Sequence, residues 1–208
     1  MIITRHEKYF LKFVFSDKTI GLNPPSKDSK LKTSKFGADV VLSNIAHPDF
    51  NGFEFMNYGD KEAFVIKGAG EYEIADVFIR AYSFKTKFDG EEKMVTSYTM
   101  LLDGINVAIF GPINSDKEFS NDAFEDFANA DVFILPFGGG DEFSPKEAWK
   151  FLKQFGPKII IPIAEKNELK EFVEEVGVQA EEVDKITLKK KDIPEEGILK
   201  IYDLKFAK

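Results

Sequence analysis

The sequence predicts an α/β protein in which an antiparallel first half is followed by alternating strands and helices. Short runs rich in Val, Ile, Phe and Tyr recur through the first half between turn residues, as in strands. The second half instead shows alternating helix and strand patterns. The chain has 208 residues, of which 43% are hydrophobic and 22 are Phe, so it can bury one Phe-rich core. We therefore expect one domain over residues 1–208.

Eight strands are predicted in the first half. Asp17-Lys18 and Asp103-Gly104 occupy hairpin-turn positions, and Asp-Gly is the stronger turn because it tolerates positive φ. We expect the strands to form an antiparallel meander. Their predicted ranges are 9–15, 19–22, 38–43, 63–67, 71–74, 77–84, 94–102 and 105–110.

The second half contains one helix with clear boundaries. Ser144 can cap it, Pro145 suits its first position and Glu147 completes a capping box. Gly156-Pro157 ends it. The other predicted elements are a helix at 121–129, strands at 132–135 and 158–161, a helix that ends before Gly177, and strands at 186–188 and 198–204.

Charge and composition argue against several classes of function. The net charge is -8 with both signs interspersed, which disfavours a nucleic-acid partner. The short cluster Lys189-Lys190-Lys191 follows a strand, so we interpret it as protection of a sheet edge. The absence of Cys excludes disulfides and thiolate sites, and no apolar run approaches the roughly 20 residues that span a bilayer. We expect a cytoplasmic protein without a membrane partner.

Three polar or glycine-rich segments have ordinary structural explanations. The loop 23–35 is interpreted as a solvated connection in preference to a binding loop. Gly138-Gly139-Gly140 lacks the Lys-Ser/Thr partner of a phosphate loop, and Gly68-Ala69-Gly70 lacks a following helix. We expect both glycine runs to form turns.

A family resemblance rests on the segments ADVVLSN at 38–44, GEYEI at 70–74 and ADVFILPFGG at 130–139, continued at 144–148 and 157–162. In this order they resemble the metallo-β-lactamase superfamily. The closer resemblance is to the branch of L-ascorbate-6-phosphate lactonase-like proteins and other small Zn-dependent hydrolases. It covers nearly the whole chain. It implies an αββα sandwich, in which two sheets pack face to face with helices outside.

The resemblance also implies a His-x-His-x-Asp-His metal motif after the strand at 38–43. The corresponding window reads Ile45-Ala46-His47-Pro48-Asp49-Phe50. His47 and Asp49 match the motif and are the residual metal or acid-base candidates. Ile45 and Phe50 stand where imidazoles would bind metal. We favour a structural role for the pair, in which Asp49 caps a turn and His47 forms a hydrogen bond nearby.

Later ligand positions implied by the resemblance are also replaced. The expected Gly-Asp is Gly111-Pro112, and the expected Pro-x-His is Pro162-Ile163-Ala164. A histidine near the start of the chain would fall at or beside Glu7, and another would be sought near Tyr82-Ser83. Ile, Phe, Pro and Ala side chains offer no lone pair to a cation.

The histidine count gives an independent argument against zinc. His6 and His47 are the only histidines, and the chain has no Cys. A catalytic zinc wants about three protein ligands, and a two-metal site needs more. A monomer of this sequence therefore cannot assemble an imidazole-rich binuclear site, and we expect no metal cofactor.

Three functional hypotheses remain open. The favoured one is a pseudoenzyme that keeps the fold to bind an unknown ligand or protein. The alternative is a hydrolase whose Mg or Mn is held by Asp49, Glu7, Glu165 and either Asn44 or Asn114, because these metals prefer oxygen ligands. A purely structural role through a homo-oligomer interface is the third.

The favoured hypothesis makes a specific expectation about packing. Ile45 and Phe50 should fill the former metal pocket as an apolar plug, in a site that also includes Glu7, Asn44, Pro112 and Ala164. Unpaired ligands without a metal would leave polar groups close together, whereas burying two apolar side chains is favourable.

Overall fold

The strands form two sheets, which a computed structural model describes over residues 1–195 and 197–207. The first sheet has six strands and the second has eight. No helix in these ranges combines the length and hydropathy needed to cross a membrane. In chain order the strands are β1 (Ile2–Arg5), β2 (Leu11–Phe15), β3 (Lys18–Leu22), β4 (Val40–Leu42), β5 (Phe64–Ile66), β6 (Gly70–Ile74), β7 (Val77–Phe88), β8 (Glu91–Leu102), β9 (Ile105–Ile109), β10 (Val132–Pro136), β11 (Ile159–Ile163), β12 (Ala180–Val183), β13 (Ile186–Thr187) and β14 (Lys200–Leu204).

The two sheets differ in how their strands are connected. The first sheet has the order β13-β1-β2-β3-β4-β5, and the second has the order β12-β14-β11-β10-β9-β8-β7-β6. In the second sheet β6 to β9 form an antiparallel meander, whereas β9, β10, β11, β14 and β12 are parallel neighbours. Parallel neighbours require crossover connections. Three helices lie in these crossovers: α1 (Asn121–Ala128), α2 (Pro145–Leu152) and α3 (Lys166–Val176).

Buried side chains hold the layers together. One cluster draws from both sheets, with Leu11 and Leu42 from the first and Tyr98 and Ile134 from the second, so the sheets pack face to face. A second cluster lies between the second sheet and the three helices, and half of its buried residues are Phe. The expected Phe-rich core and the αββα fold class are confirmed.

The outer layer on the first sheet is thin. It is formed by Phe10, Phe36 and the 3-10 helix Phe53–Met56, which cover Val41 of β4. The loops that run over this face also explain why one expectation was wrong. The pairs β3-β4 and β4-β5 are parallel, because the long segments 23–39 and 43–63 cross over the sheet and return in the same direction. The antiparallel meander holds only for β1-β3 and β6-β9.

Helix α2 begins as the sequence predicts. The Ser144 hydroxyl accepts a hydrogen bond from the backbone N–H of Glu147, and the Glu147 carboxylate accepts one from the backbone N–H of Ser144. The short 3-10 helix Lys153–Phe155 then leads to Gly156, whose φ is +60°. The capping box and the glycine stop are confirmed.

Candidate functional site

The segment that follows β4 joins the two sheets. The backbone N–H of Thr96 in β8 donates to the carbonyl of Asn44 at 2.6 Å, and Ile45 forms an isolated bridge with Val95. Ile45 is only 2% exposed and belongs to the cluster between the sheets. The first implied ligand position is therefore part of the core.

Phe50 lies at the centre of an aromatic group. Its ring is fully buried and stacks on Tyr9, with centroids 4.7 Å apart. The ring of Phe88 meets it edge-on at 5.6 Å, and that of His47 does so at 6.1 Å. The packing of Ile45 and Phe50 is the arrangement that the apolar-plug hypothesis requires.

Tyr9, a member of this aromatic group, forms a hydrogen bond with the buried carboxylate of Glu142. The sequence patterns identify neither residue as part of the site. The Tyr9 hydroxyl donates to Glu142 Oε1 at 2.6 Å, and the Gly139 backbone N–H donates to Oε2 at 3.1 Å. Glu142 is 8% exposed, and burial raises its pKa despite the hydrogen bonds from Tyr9 and Gly139. Burial, followed by the nearby Glu142 charge, also raises the pKa of Tyr9.

Glu142 reaches this place because of the glycine turn before it. Gly138 and Gly140 have φ of +83° and +77°, so the chain reverses and Glu142 returns toward Gly139. The turn expected at this glycine run is confirmed. Its consequence, a carboxylate brought into the core, carries no local sequence signal.

The surviving motif residues His47 and Asp49 form a small surface network. Their nearest charged atoms, His47 Nδ1 and Asp49 Oδ2, are 3.7 Å apart. The Asp49 backbone N–H donates to His47 Nδ1 at 3.2 Å, and the Ser29 hydroxyl donates to Asp49 Oδ1. His47 Nε2 faces Asp89 at 3.9 Å. This network contains one imidazole, and its carboxylates already have other partners. Zinc requires about three protein ligands, so the network does not supply a zinc site.

Ser29 belongs to the loop 23–35, which does more than connect β3 and β4. Its Ser26 N–H donates to the Pro48 carbonyl at 2.8 Å, and its Lys32 N–H donates to Glu7 Oε2 at 3.2 Å. The loop thus packs on the motif segment, because its backbone groups find partners there. The solvated-connection interpretation is too simple for this loop.

The oxygen atoms proposed for Mg or Mn are engaged elsewhere. Glu7 accepts hydrogen bonds from the backbone N–H groups of Lys8 and Lys32. Asn44 accepts from Asn23 Nδ2 and donates to the Thr96 carbonyl, both at 2.6 Å. Across residues 1–195 and 197–207 no group of three or more His, Cys, Asp or Glu side chains could hold a metal, so Asp49, Glu7 and Glu165 do not converge. Glu165 is exposed, and Asn114 Nδ2 lies 3.4 Å from the Lys87 carbonyl.

The remaining implied ligand positions are also closed. Pro112 is buried, and its carbonyl accepts a hydrogen bond from the Thr86 hydroxyl at 3.0 Å. At Gly111 a Cβ would lie 2.2 Å from Val95 Cγ2, so the chain needs glycine there. Ala164 packs against the cluster under the helices. The cavity beneath these segments, lined by Tyr9, Asn44, Phe110, Pro136 and Ile163 among others, measures about 10 Å³, enough for about one water.

A larger pocket lies on the other side of the Asn44–Ala46 segment. We call it the Lys67 pocket, and its volume is about 340 Å³. That volume is within the range of small-molecule sites. The side chains that matter for its chemistry are Asn51, Phe53, Lys67, Ser83, Met94 and Thr96. Ser83 belongs to the Tyr82-Ser83 segment in which the resemblance suggests a further histidine, and the predicted site residues Asn44 and Ile45 also line the pocket. The sequence does not single out the other five side chains.

Matches to known proteins agree with this architecture. The family model described as "Beta-lactamase superfamily domain" matches residues 5–164. A solved structure from Thermotoga maritima, described as a Zn-dependent hydrolase of the metallo-β-lactamase superfamily, has a TM-score of 0.74 at 22% identity and covers 98% of this chain and 99% of its own. A described metal-dependent hydrolase from Parabacteroides distasonis has a TM-score of 0.67 at 18% identity, with 98% and 93% covered.

A third structure, a metallo hydrolase from Ignicoccus hospitalis, has a TM-score of 0.61 at 19% identity, with 90% of this chain and 99% of that chain covered. No curated protein matches the chain. At these identities the structural likeness establishes the fold, and the chemistry of the site has to be argued from the residues themselves.

Proposed function

This chain belongs to the β-lactamase superfamily, and from that premise we propose that it is a non-catalytic binding protein, a pseudoenzyme of the metallohydrolase fold. The observation that carries the proposal is the packing at the implied ligand positions. Ile45 and Phe50 are buried in apolar contacts, and Pro112 and Ala164 have no side-chain donor. The residues present do not fit zinc, which needs about three protein ligands from His, Cys, Asp or Glu.

Energetics support the same proposal. Burying an apolar side chain of this size contributes roughly 1.5 to 3 kcal/mol, whereas an unpaired polar ligand in the same place would be destabilising. Two pairs of buried polar side chains in this region satisfy one another, Tyr9 with Glu142 and Asn23 with Asn44. The site is thus stable without a cation, and the fold remains available to bind a partner.

Elemental analysis of protein purified without chelator tests the proposal. We expect substoichiometric Zn, Fe and Mn, and no hydrolysis of phosphoester, lactone or β-lactam substrates after addition of Zn, Mn or Mg. His47→Gln and its control His6→Gln should be indistinguishable in metal content. One transition-metal ion per chain that is lost in His47→Gln, or metal-dependent hydrolysis, would overturn the proposal in favour of a remodelled Mg or Mn hydrolase.

A further inference from the structure

The charge of the Lys67 pocket differs from that of the whole chain. The chain carries a net charge of -8, yet the side chains lining this pocket include one ammonium group and no carboxylate. Lys67 is exposed and forms no ion pair with any residue in 1–195 or 197–207. The pocket therefore offers a free positive charge to an anionic group.

Three further polar side chains in the pocket, Asn51 and the pair Ser83 and Thr96, have unused hydrogen-bonding capacity. Asn51 Oδ1 is buried and has no hydrogen-bond partner among the described residues. The hydroxyls of Ser83 and Thr96 are 3.0 Å apart. Each hydroxyl carries one proton, so the pair uses one and leaves the other to donate. A buried polar atom without a partner is costly, and such atoms are commonly completed by a ligand or water.

Most of the remaining lining is apolar, and the two other polar side chains there, Ser43 and Asn44, form hydrogen bonds within the protein. Phe53 is half-buried and forms part of one wall. Met94, on strand β8 of the long β7-β8 hairpin, is 54% exposed. These side chains provide a hydrophobic surface beside the polar groups. Few polar groups set into an apolar wall are typical of small-molecule sites.

We propose that the Lys67 pocket binds a small organic anion that carries a hydroxyl group. The anionic oxygens pair with the Lys67 ammonium and accept the free proton of the Ser83-Thr96 pair. The hydroxyl of the ligand donates to Asn51 Oδ1, and its carbon atoms lie against Phe53 and Met94. This assignment rests on the proposed binding function and specifies its ligand class. A carboxylate and a phosphate monoester share the required chemistry.

Titration calorimetry with three matched probes tests the assignment. Glycerate supplies a carboxylate, glycerol 3-phosphate supplies a phosphate monoester, and glycerol supplies the hydroxyls without charge. We expect one or both anions to bind and glycerol not to bind. The stronger anion identifies the group that the pocket prefers. Equal binding of glycerol, or binding of none of the three, would overturn the assignment.

Substitutions in the pocket test whether the anion binds there. Lys67→Gln should weaken the anion by about tenfold or more, because a charge-assisted hydrogen bond is lost. Asn51→Asp, which adds a negative charge without changing size, should weaken it as well. Lys170→Gln is the matched control, since Lys170 is an exposed lysine on α3, and should bind as the parent does. Unchanged affinity in Lys67→Gln would rule out this site.

The two proposals fail in different ways. Metal-dependent hydrolysis would overturn the proposed function whatever the calorimetry shows. If the protein shows no hydrolase activity and binds none of the three probes, the ligand assignment is wrong and the pseudoenzyme proposal still holds.

Discussion

At the scale of single residues, Phe50 occupies a position where the family resemblance implies a histidine. Its ring contacts Tyr9, His47 and Phe88 and has no exposed surface. Aromatic contacts of this kind add to the free energy gained by burial. A histidine at this position would bring a polar ring into a buried and largely aromatic group.

Phe50→His should therefore lower the free energy of unfolding by about 2 kcal/mol, because a buried apolar ring is replaced by a polar one. Urea denaturation at neutral pH measures this. Phe64→His is the control, since Phe64 is 46% exposed on β5 and its replacement should cost less than about 0.5 kcal/mol. Equal stability of Phe50→His and the parent would show that Phe50 does not act as a plug.

Glu142 gives the chain a pH dependence of definite sign. Burial raises its pKa above the ordinary value of 4.5, so the folded chain holds this proton more tightly than the unfolded chain. The resulting stabilisation is complete below pH 4.5 and is lost as the pH rises through the raised pKa. The stability of the parent relative to Glu142→Gln should thus fall as the pH increases.

Urea titrations at several pH values from acid to neutral measure that difference. Glu147→Gln is the control of opposite sign, because hydrogen bonds from Ser144 lower the pKa of Glu147. Its stabilisation is present above the ordinary pKa and is lost as the pH falls. A difference between the parent and Glu142→Gln that stays constant with pH would contradict the assigned direction.

At the scale of elements, local sequence predicts most strands and helices but misses those whose signal lies in distant contacts. The sequence pattern does not predict β1, because the buried Arg5 interrupts its apolar face. The Arg5 side chain donates to the Lys8 carbonyl. The β7-β8 hairpin was predicted too short, although Asp89-Gly90 is the same turn signal as Asp103-Gly104. The hydrophobic alternation is weak there, because Thr86 is a polar residue at a buried position of β7 and the start of β8 is charged and mostly exposed.

The lysine cluster after β13 also has a role that the sequence could not give. Lys190, in the 3-10 helix Lys190–Asp192, pairs with the buried Asp131 at 2.7 Å. Lys158 reaches the same carboxylate at 3.1 Å, and the Asn106 N–H donates to it. Burial acts to raise the pKa of Asp131, but these partners together outweigh it and lower the pKa. Lys190 thus links the segment after β13, in the first sheet, to the residue that precedes β10, in the second sheet.

Lys190→Ala should accordingly lower the free energy of unfolding by about 1 kcal/mol, reduced from the value of a buried pair because the lysine is exposed. Lys191→Ala should have no measurable effect, since Lys191 forms no ion pair with a described residue. Thermal and urea denaturation of the two variants make the comparison. Equal losses in both would show that the cluster acts only through its general charge.

For the whole molecule, the fold could be predicted because its hydrophobic patterns are local and their order resembles a known family. For the candidate site, the family resemblance predicts only positions that lack a metal-binding side chain, at Ile45, Phe50, Pro112 and Ala164. The Tyr9-Glu142 pair joins residues 133 positions apart, and the Lys67 pocket combines five separate segments. Contacts over such distances have no periodicity in the sequence.

The core that spans both sheets predicts how the chain unfolds. Because one buried cluster draws from the two sheets, residues 1–208 should lose structure in a single cooperative transition. Fluorescence of Trp149 reports on the helix layer, and far-UV circular dichroism reports on the backbone as a whole. Coincident urea midpoints for the two signals are expected. Separate midpoints would indicate two independently folding units.

The close approach at Gly111 has a consequence for evolution. Under the proposed function, a metal centre in this chain would need new donors at several positions at once, and each single substitution would introduce a donor without its partners. An aspartate at Pro112 would stand next to a backbone already pressed against Val95. A histidine at position 50 would lose its packing before any cation could compensate. Under the proposed function, the substitution at position 50 would therefore cost stability before it could contribute to a metal site.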